Sequence, residues 1–229
     1  FSDVMRQSRG EYFRWAGADD ICRPDYLRCC AKVLDERPDV ILCYPQTDII
    51  DAHGAVTEHF DDRLHLDHAS PARRYADLLK HFRKANAVFG LIRADVLRQT
   101  RLIDVFPSSD VVLLGELAVR GKFFEVPQRL FLRRIHPQHS MLAYDTARAR
   151  SYWFAARPKG SVFPYWREYC EHLRSMAAAP LPLTQRIACL HYAFRRLHRH
   201  GRKVIWELLS GVPLAVAANL RPQRAVAVE

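Results

Sequence analysis

The chain lacks any run of the roughly 18 apolar residues that a membrane-spanning helix needs; the longest apolar stretch near its end is broken by Pro213 and Asn219. A bilayer-crossing segment is therefore not expected. It also lacks a CxxC pair. The six cysteines, at 22, 29, 30, 43, 170 and 189, show no spacing that would hold zinc or frame a small disulfide-rich domain, which points to a reducing compartment. Internal repeats and low-complexity tracts are missing too. Nothing before Arg6 is built like a signal peptide, and the first residue is Phe, so the sequence reads as entered at a cut edge with upstream residues absent. What remains is 229 residues, 49% hydrophobic and 26% charged, enough to bury a core. One main domain with an appendage is the expectation.

The formal charge of +10 raises the question of an anionic partner, and its distribution sharpens it. Residues 148–229 carry 14 Lys and Arg against 4 Asp and Glu, leaving 21 of each for residues 1–147. A balanced front suits chemistry, whereas the basic back suits contact with something anionic.

Along the front, Pro24-Asp-Tyr-Leu27 opens a helix whose Leu27, Cys30, Val33 and Leu34 recur at helical spacing up to Pro38. Val40–Tyr44 reads as a buried strand and Ile49–Gly54 as a run into a turn. Residues 58–69, rich in Asp and His, read as a surface loop. Ser70-Pro71 caps and starts a helix carrying Tyr75, Leu78, Leu79 and Phe82. Ala87–Ile92 reads as a strand containing a glycine, and a helix spans about Asp110 to Arg120, stopped by Gly121. Phe123–Val126 and Leu130–Ile135 read as two strands joined across Pro127. This alternation predicts an α/β layered domain over residues 1–141. After it, residues 142–229 read as a basic, mainly helical appendage broken at Pro158, Pro164, Pro180 and Pro182.

The first candidate site is Asp19-Asp20, after a plausible strand entry at Gly10–Arg14 and before the Pro24 helix. Mg²⁺ or Mn²⁺ takes oxygen ligands and is commonly held by one or two carboxylates plus substrate phosphates. A carboxylate pair by itself also fits a helix cap, and Asp61-Asp62 is a second such pair in a loop.

Order and context add a resemblance. Gly10-Glu-Tyr-Phe-Arg-Trp-Ala-Gly-Ala-Asp-Asp20, Pro24-Asp-Tyr-Leu27, Pro38-Asp-Val40 and Ile49-Ile-Asp-Ala-His-Gly54 resemble the metal-site segment of family 2 glycosyltransferases. Gly90-Leu-Ile-Arg93, Ser108-Ser-Asp-Val-Val-Leu-Leu-Gly-Glu-Leu-Ala-Val-Arg-Gly-Lys-Phe123 with Glu125-Val-Pro127, and Arg133-Arg-Ile-His-Pro-Gln-His-Ser140 resemble the catalytic helix, its flanking segments and the closing motif. The resemblance covers about residues 4–141. It departs at Gly17-Ala18, where members often carry a further acid, and at Ser109, where Glu commonly precedes the catalytic carboxylate. It implies the later half of a GT-A (Rossmann-like) domain in an inverting enzyme, with a nucleotide-sugar donor and a divalent metal. It further implies Asp19 at the donor, Asp20 on the metal, Asp110 as general base and His136 as a metal or diphosphate contact. Missing front strands imply that the fragment alone is inactive.

The chemistry stands apart from the family name. A sugar hydroxyl is a weak nucleophile, so a placed carboxylate base contributes about 10²–10⁴-fold, and a leaving diphosphate needs positive charge. A solitary His after an apolar strand is more often packed or hydrogen-bonded, which is the other reading of His136, and a helix-dipole role is open to Asp110. His65, His68 and His139 resemble zinc spacing only loosely and are read as loop residues.

In the appendage, Ile187, Leu190, Phe194 and Leu197 share one helical face beside Arg195, Arg196, His198, Arg199, His200, Arg202 and Lys203. Packing on the domain, contact of residues 186–203 with an anionic membrane surface, and a nucleic-acid patch are the three readings, the last disfavoured. The expected acceptor is a glycan, a lipid-linked species or a protein, in the setting of cell-envelope polysaccharide. The expected location is the cytoplasm, at or near the inner membrane face. The rival classes are a metal-dependent phosphoryl-transfer enzyme using Asp19 and Asp20, and a basic nucleic-acid-binding module.

Overall fold

The computed structural model describes residues 2–136 and 163–209. In chain order its elements are α1 (Ser2–Gln7), β1 (Tyr12–Phe13), β2 (Ile21–Cys22), α2 (Tyr26–Glu36), β3 (Val40–Ile50), β4 (Val56–Phe60), α3 (Pro71–His81), β5 (Leu91–Arg93), α4 (Ala94–Arg98), α5 (Ser109–Arg120), β6 (Lys122–Arg134), α6 (Pro164–Ala178) and α7 (Leu183–Leu209). One mixed sheet has the order β1-β5-β3-β6-β2, with β4 added to β3. Its centre is the long parallel pair β3 and β6, and the other pairings are antiparallel.

β3 is buried along nearly all its length because both faces of the sheet are covered, and its first six residues, Val40–Pro45, are a continuous apolar run. On one face Leu42, Tyr44 and Phe123 pack under Leu113, Leu114 and Leu117 of α5. On the other, Tyr26, Cys30 and Leu34 of α2 cover Cys43, Val126 and Phe131. A third cluster joins Tyr75 and Leu79 of α3 and Val119 of α5 to Met176 of α6 and to Cys189 and Ala193 of α7. The described part of the appendage thus shares a core with the sheet-covering helices, through the small residues Cys189 and Ala193.

Several sequence expectations change in the structure. Segments 123–126 and 130–135 are not two strands but parts of β6, which runs through Pro127. The pairing to β3 jumps from Pro45↔Val126 to Gln46↔Arg129, so Pro127 and Gln128 occupy a bulge where proline's missing N–H costs no ladder bond. Residues 87–92 are largely not a strand: Asn86–Phe89 form a 3-10 turn and only Leu91–Arg93 pair. A Cβ on Gly90 would lie 2.8 Å from the Cys43 carbonyl oxygen, so the turn presses backbone against β3 and needs glycine. Within the expected 58–69 loop, residues 58–60 belong to β4. In α7, Ile187 and Phe194 do share a face, but it is the exposed one. His139 and the boundary at 141/142 lie outside the described residues, as do the side chains of His198, Arg199 and His200.

Gly121 reverses the chain between α5 and β6 in one residue, where a Cβ would sit 2.3 Å from Ile41 Cγ2. α5 therefore runs back along β6, and its N-terminus faces the same end of the sheet as the carboxyl ends of β3 and β6. Ligands of open α/β sheets bind at that end.

Candidate functional site

Asp20 sits immediately before β2, whose Ile21 and Cys22 pair with Leu132 and Phe131. That register brings Asp20 to the end of β6, where its Oδ1 accepts the Arg134 backbone N–H at 3.0 Å. The Arg134 side chain ties the neighbourhood together: its Nε donates to the Asp19 carbonyl at 3.0 Å, and its Nη1 donates to the carbonyls of Asp51 and Ala52 at 2.7 and 2.9 Å. One guanidinium so joins the segment before β2 to the turn after β3. Gly17 completes the corner, because a Cβ there would lie 2.3 Å from Asp20 Oδ2. Of the two positions where the family resemblance leads one to look for another acid, Gly17 and Ala18, a side chain at the first would displace the Asp20 carboxylate.

His136 follows Arg134 by two residues and puts Nε2 3.1 Å from Asp19 Oδ2. Asp19 and Asp20 meet His136, more than a hundred residues further along the chain, in one corner. Asp19 and Asp20 do not cap α2: the residue preceding that helix is Asp25, which makes no side-chain cap bond.

Asp110 lies in the first turn of α5, entered through Ser108 at the left-handed φ of 68°. Its Oδ1 accepts the Val111 N–H at 2.9 Å. Burial pushes its carboxyl above the ordinary carboxylate range, against the pull of the Val111 N–H and the Arg133 charge, and Glu168 adds to the rise. Arg133 is held by a 2.5 Å bond from Nη1 to Asn86 Oδ1 and lies over the Phe89 ring at 5.8 Å. The end of β6 thus serves both halves of the site: Arg134 fixes the acidic corner, and Arg133 acts on Asp110.

The other acidic pair separates. Asp61 is ion-paired with Arg129 at 2.7 Å. Asp62 is 1% exposed, accepts from Asn86 Nδ2 at 3.1 Å and from Thr47 at 3.5 Å, and leaves Oδ1 buried without a hydrogen-bond partner. Burial lifts its carboxyl to about 7. His65 and His68 spend Nδ1 on the backbone N–H groups of Glu125 and Ser70, at 3.2 and 2.9 Å.

Among the described residues, no group of three or more His, Cys, Asp or Glu is arranged to hold a metal. The pair Asp19 Oδ2 and His136 Nε2 nonetheless fits two adjacent positions of one ion. Neighbouring ligands of an octahedral cation bonded at about 2.0–2.1 Å stand about 3 Å apart, close to the 3.1 Å observed. Such ions fill further positions with water and substrate phosphate.

Sequence reasoning missed the two arginines. They stand within the quoted closing motif, and the signal available was a pair of guanidinium groups ending an apolar strand at the sheet's ligand-binding end.

No protein-family model matches the chain, and no curated protein sequence does. Among solved structures it is similar to S. aureus TarS 1–349, with 10% identity and a TM-score of 0.52 over 91% of this chain and 53% of that one. For TarS in complex with UDP the values are 11% and 0.51 over 90% and 52%; in complex with UDP-GlcNAc they are 12% and 0.55 over 91% and 54%. The chain spans about half the length of these neighbours. Identity this low shows the fold alone: a partial GT-A-like α/β domain.

Proposed function

We propose that the chain is the diphosphate-holding and base-bearing side of a glycosyltransferase that moves a sugar, with inversion, from a nucleotide-sugar donor to an acceptor hydroxyl. The observation that carries this reading is the Asp19–Asp20–Arg134–His136 corner at the carboxyl end of β3 and β6. It lies in a fold similar to that of a protein crystallised with UDP-GlcNAc. Asp19 and His136 would hold a divalent cation, which supplies positive charge to the donor diphosphate. Their mixed oxygen and nitrogen donors suit Mn²⁺ better than Mg²⁺, which keeps to oxygen. Asp20 stands beside them as the acceptor that fixes the end of β6. Asp110, its carboxyl raised by burial, takes the proton of the acceptor hydroxyl as that oxygen bonds to the anomeric carbon and the bond to the diphosphate breaks.

Titration calorimetry with UDP-GlcNAc and MnCl2 tests the reading. Wild type should bind in a Mn²⁺-dependent way, and Asp19→Asn and His136→Ala should each weaken binding tenfold or more. Mn²⁺-independent binding, or binding indifferent to both substitutions, refutes it. Release of phosphate from a monoester with Asp110 dispensable supports the phosphoryl-transfer alternative instead.

A separate observation favours membrane contact. Among the described residues no helix is long and apolar enough to cross a bilayer. Yet Leu183, Ile187, Phe194, Ile205, Leu208 and Leu209 are exposed along one face of α7, with Arg195 and Arg202 exposed at its border. Arg73 and Lys80 of α3 line the adjoining groove together with Arg195, against the one carboxylate of Asp77. An apolar stripe edged by cations fits the surface of an anionic bilayer.

A further inference from the structure

α6 runs alongside α5 in the same direction. A Cβ on Gly115 would touch the His172 ring at 3.4 Å, Ser175 donates to Glu116 Oε1 at 2.6 Å, and Met176 packs with Val119. Later residues of one helix meet later residues of the other. Glu168, one turn before His172, therefore stands level with the start of α5, and its charge acts on Asp110.

Beside this register, α6 and α7 enclose a recess of about 120 Å³, bounded by Tyr165, Glu168, Tyr169, His172, Arg196 and Lys203. Ala193, Leu197 and Val204 give it an apolar wall, and its charged groups, Glu168 against Arg196 and Lys203, leave one positive charge in excess. Glu168 Oε1 accepts from Arg196 Nη2 at 2.8 Å, with both side chains mostly buried, at 14% and 19% exposure. Lys203 Nζ lies 5.5 Å from the centre of the Tyr165 ring. His172 is 1% exposed and places Nδ1 3.1 Å from the Tyr75 hydroxyl. Burial lowers its pKa to about 4, so the ring is neutral at pH 7. Its Nε2 is buried with no hydrogen-bond partner. A recess kept only for packing would not be lined by an ion pair and an unused buried ring nitrogen, because unsatisfied buried polar groups are costly.

We propose that this recess seats the acceptor of the reaction proposed above, a neutral sugar or polyol unit that presents its attacking hydroxyl toward Asp110. The Glu168–Arg196 pair offers an acceptor beside a donor, the arrangement that two adjacent hydroxyls satisfy together. Tyrosine faces suit the C–H side of a sugar ring, and the volume, about four waters' share of liquid, takes a small polyol whole or one edge of a sugar ring.

The proposal rests on the glycosyl-transfer reading, and its test separates the two. Ligand-observed saturation-transfer NMR with free glucose, galactose and N-acetylglucosamine is run on wild type, Glu168→Gln and Lys203→Ala, and UDP-GlcNAc binding is measured on the same samples. At least one sugar should bind wild type, weaken tenfold or more in Glu168→Gln and about threefold in Lys203→Ala, while donor binding stays unchanged. No sugar binding, or sugar binding unaffected by either substitution, overturns the recess as an acceptor seat. Sugar binding that depends on Glu168, together with no donor binding, keeps the recess as a sugar site and removes the transferase reading instead.

Discussion

Replacing Asp62 with asparagine should change how stability depends on pH, in a direction fixed by burial. Asp62 is 1% exposed and its carboxyl stands at about 7 against an ordinary 3.8. Loss of water is the largest cause; the bonds from Asn86 and Thr47 and the charge of Arg133 oppose it, while Glu125 adds to it. Because the folded value is raised, the folded chain keeps its proton over a range where the unfolded chain has lost it. The stability linked to that proton is fully present below about pH 4 and is lost as pH rises through 7. A rise of about three units at about 1.4 kcal/mol each gives roughly 4 kcal/mol across that window. The amide of the variant does not titrate, so urea midpoints of wild type and Asp62→Asn, measured every half unit from pH 4 to 8, should differ in slope, converging from pH 4 and crossing before pH 7. Wild type should lose about 1.4 kcal/mol per pH unit relative to the variant and level off above pH 7. The substitution also places an amide where Oδ1 now lacks a partner, which lowers the whole variant curve by about 1–3 kcal/mol without changing its slope. Two parallel curves would refute the argument, since they would mean that Asp62 ionises in the folded chain as it does in water.

Three further outcomes follow from the site. In a protein carrying the whole domain, Asp110→Asn should lower transfer by about 10²–10⁴-fold and leave UDP-GlcNAc affinity unchanged; since burial raises the Asp110 carboxyl, the variant should also gain stability relative to wild type as pH rises above the ordinary carboxylate range, a trend read from thermal melts. Gly17→Ala puts a methyl 2.3 Å from Asp20 Oδ2, so it should displace a carboxylate that Arg134 holds, costing about 1–3 kcal/mol in urea unfolding and weakening Mn²⁺-dependent donor binding. Ile187→Asp with Phe194→Asp should reduce sedimentation with vesicles containing phosphatidylserine by tenfold or more, while leaving unfolding midpoints within about 0.5 kcal/mol of wild type, as exposed positions allow; unchanged sedimentation removes the membrane reading of α7.

What could be read from the sequence was whatever local pattern determines. The α2 and α5 periodicities and the Ser70-Pro71 start are local, and the structure has helices there, with Ser70 accepting from the Arg73 N–H. What could not be read was set by partners distant in sequence. Pro127 looks like a strand break until β3 lies beside it, because only the paired register shows that a bulge absorbs the residue. Asp62 looks like half of a solvent-exposed pair until Asn86 and Thr47 close over it. The same holds within the site. Asp19 and Asp20 are equivalent as letters, and the closing motif gives no reason to separate their roles. The fold does so through β6: Asp20 faces a backbone N–H whose position the sheet fixes, whereas Asp19 faces the His136 imidazole beyond the last paired residue. A carboxylate committed to the end of a strand orients the corner, whereas the Asp19 carboxylate meets a ring at its open edge, outside the sheet. Substituting the two in parallel therefore distinguishes them by signature: loss at Asp20 should cost folding stability as well as donor affinity, and loss at Asp19 should cost affinity alone.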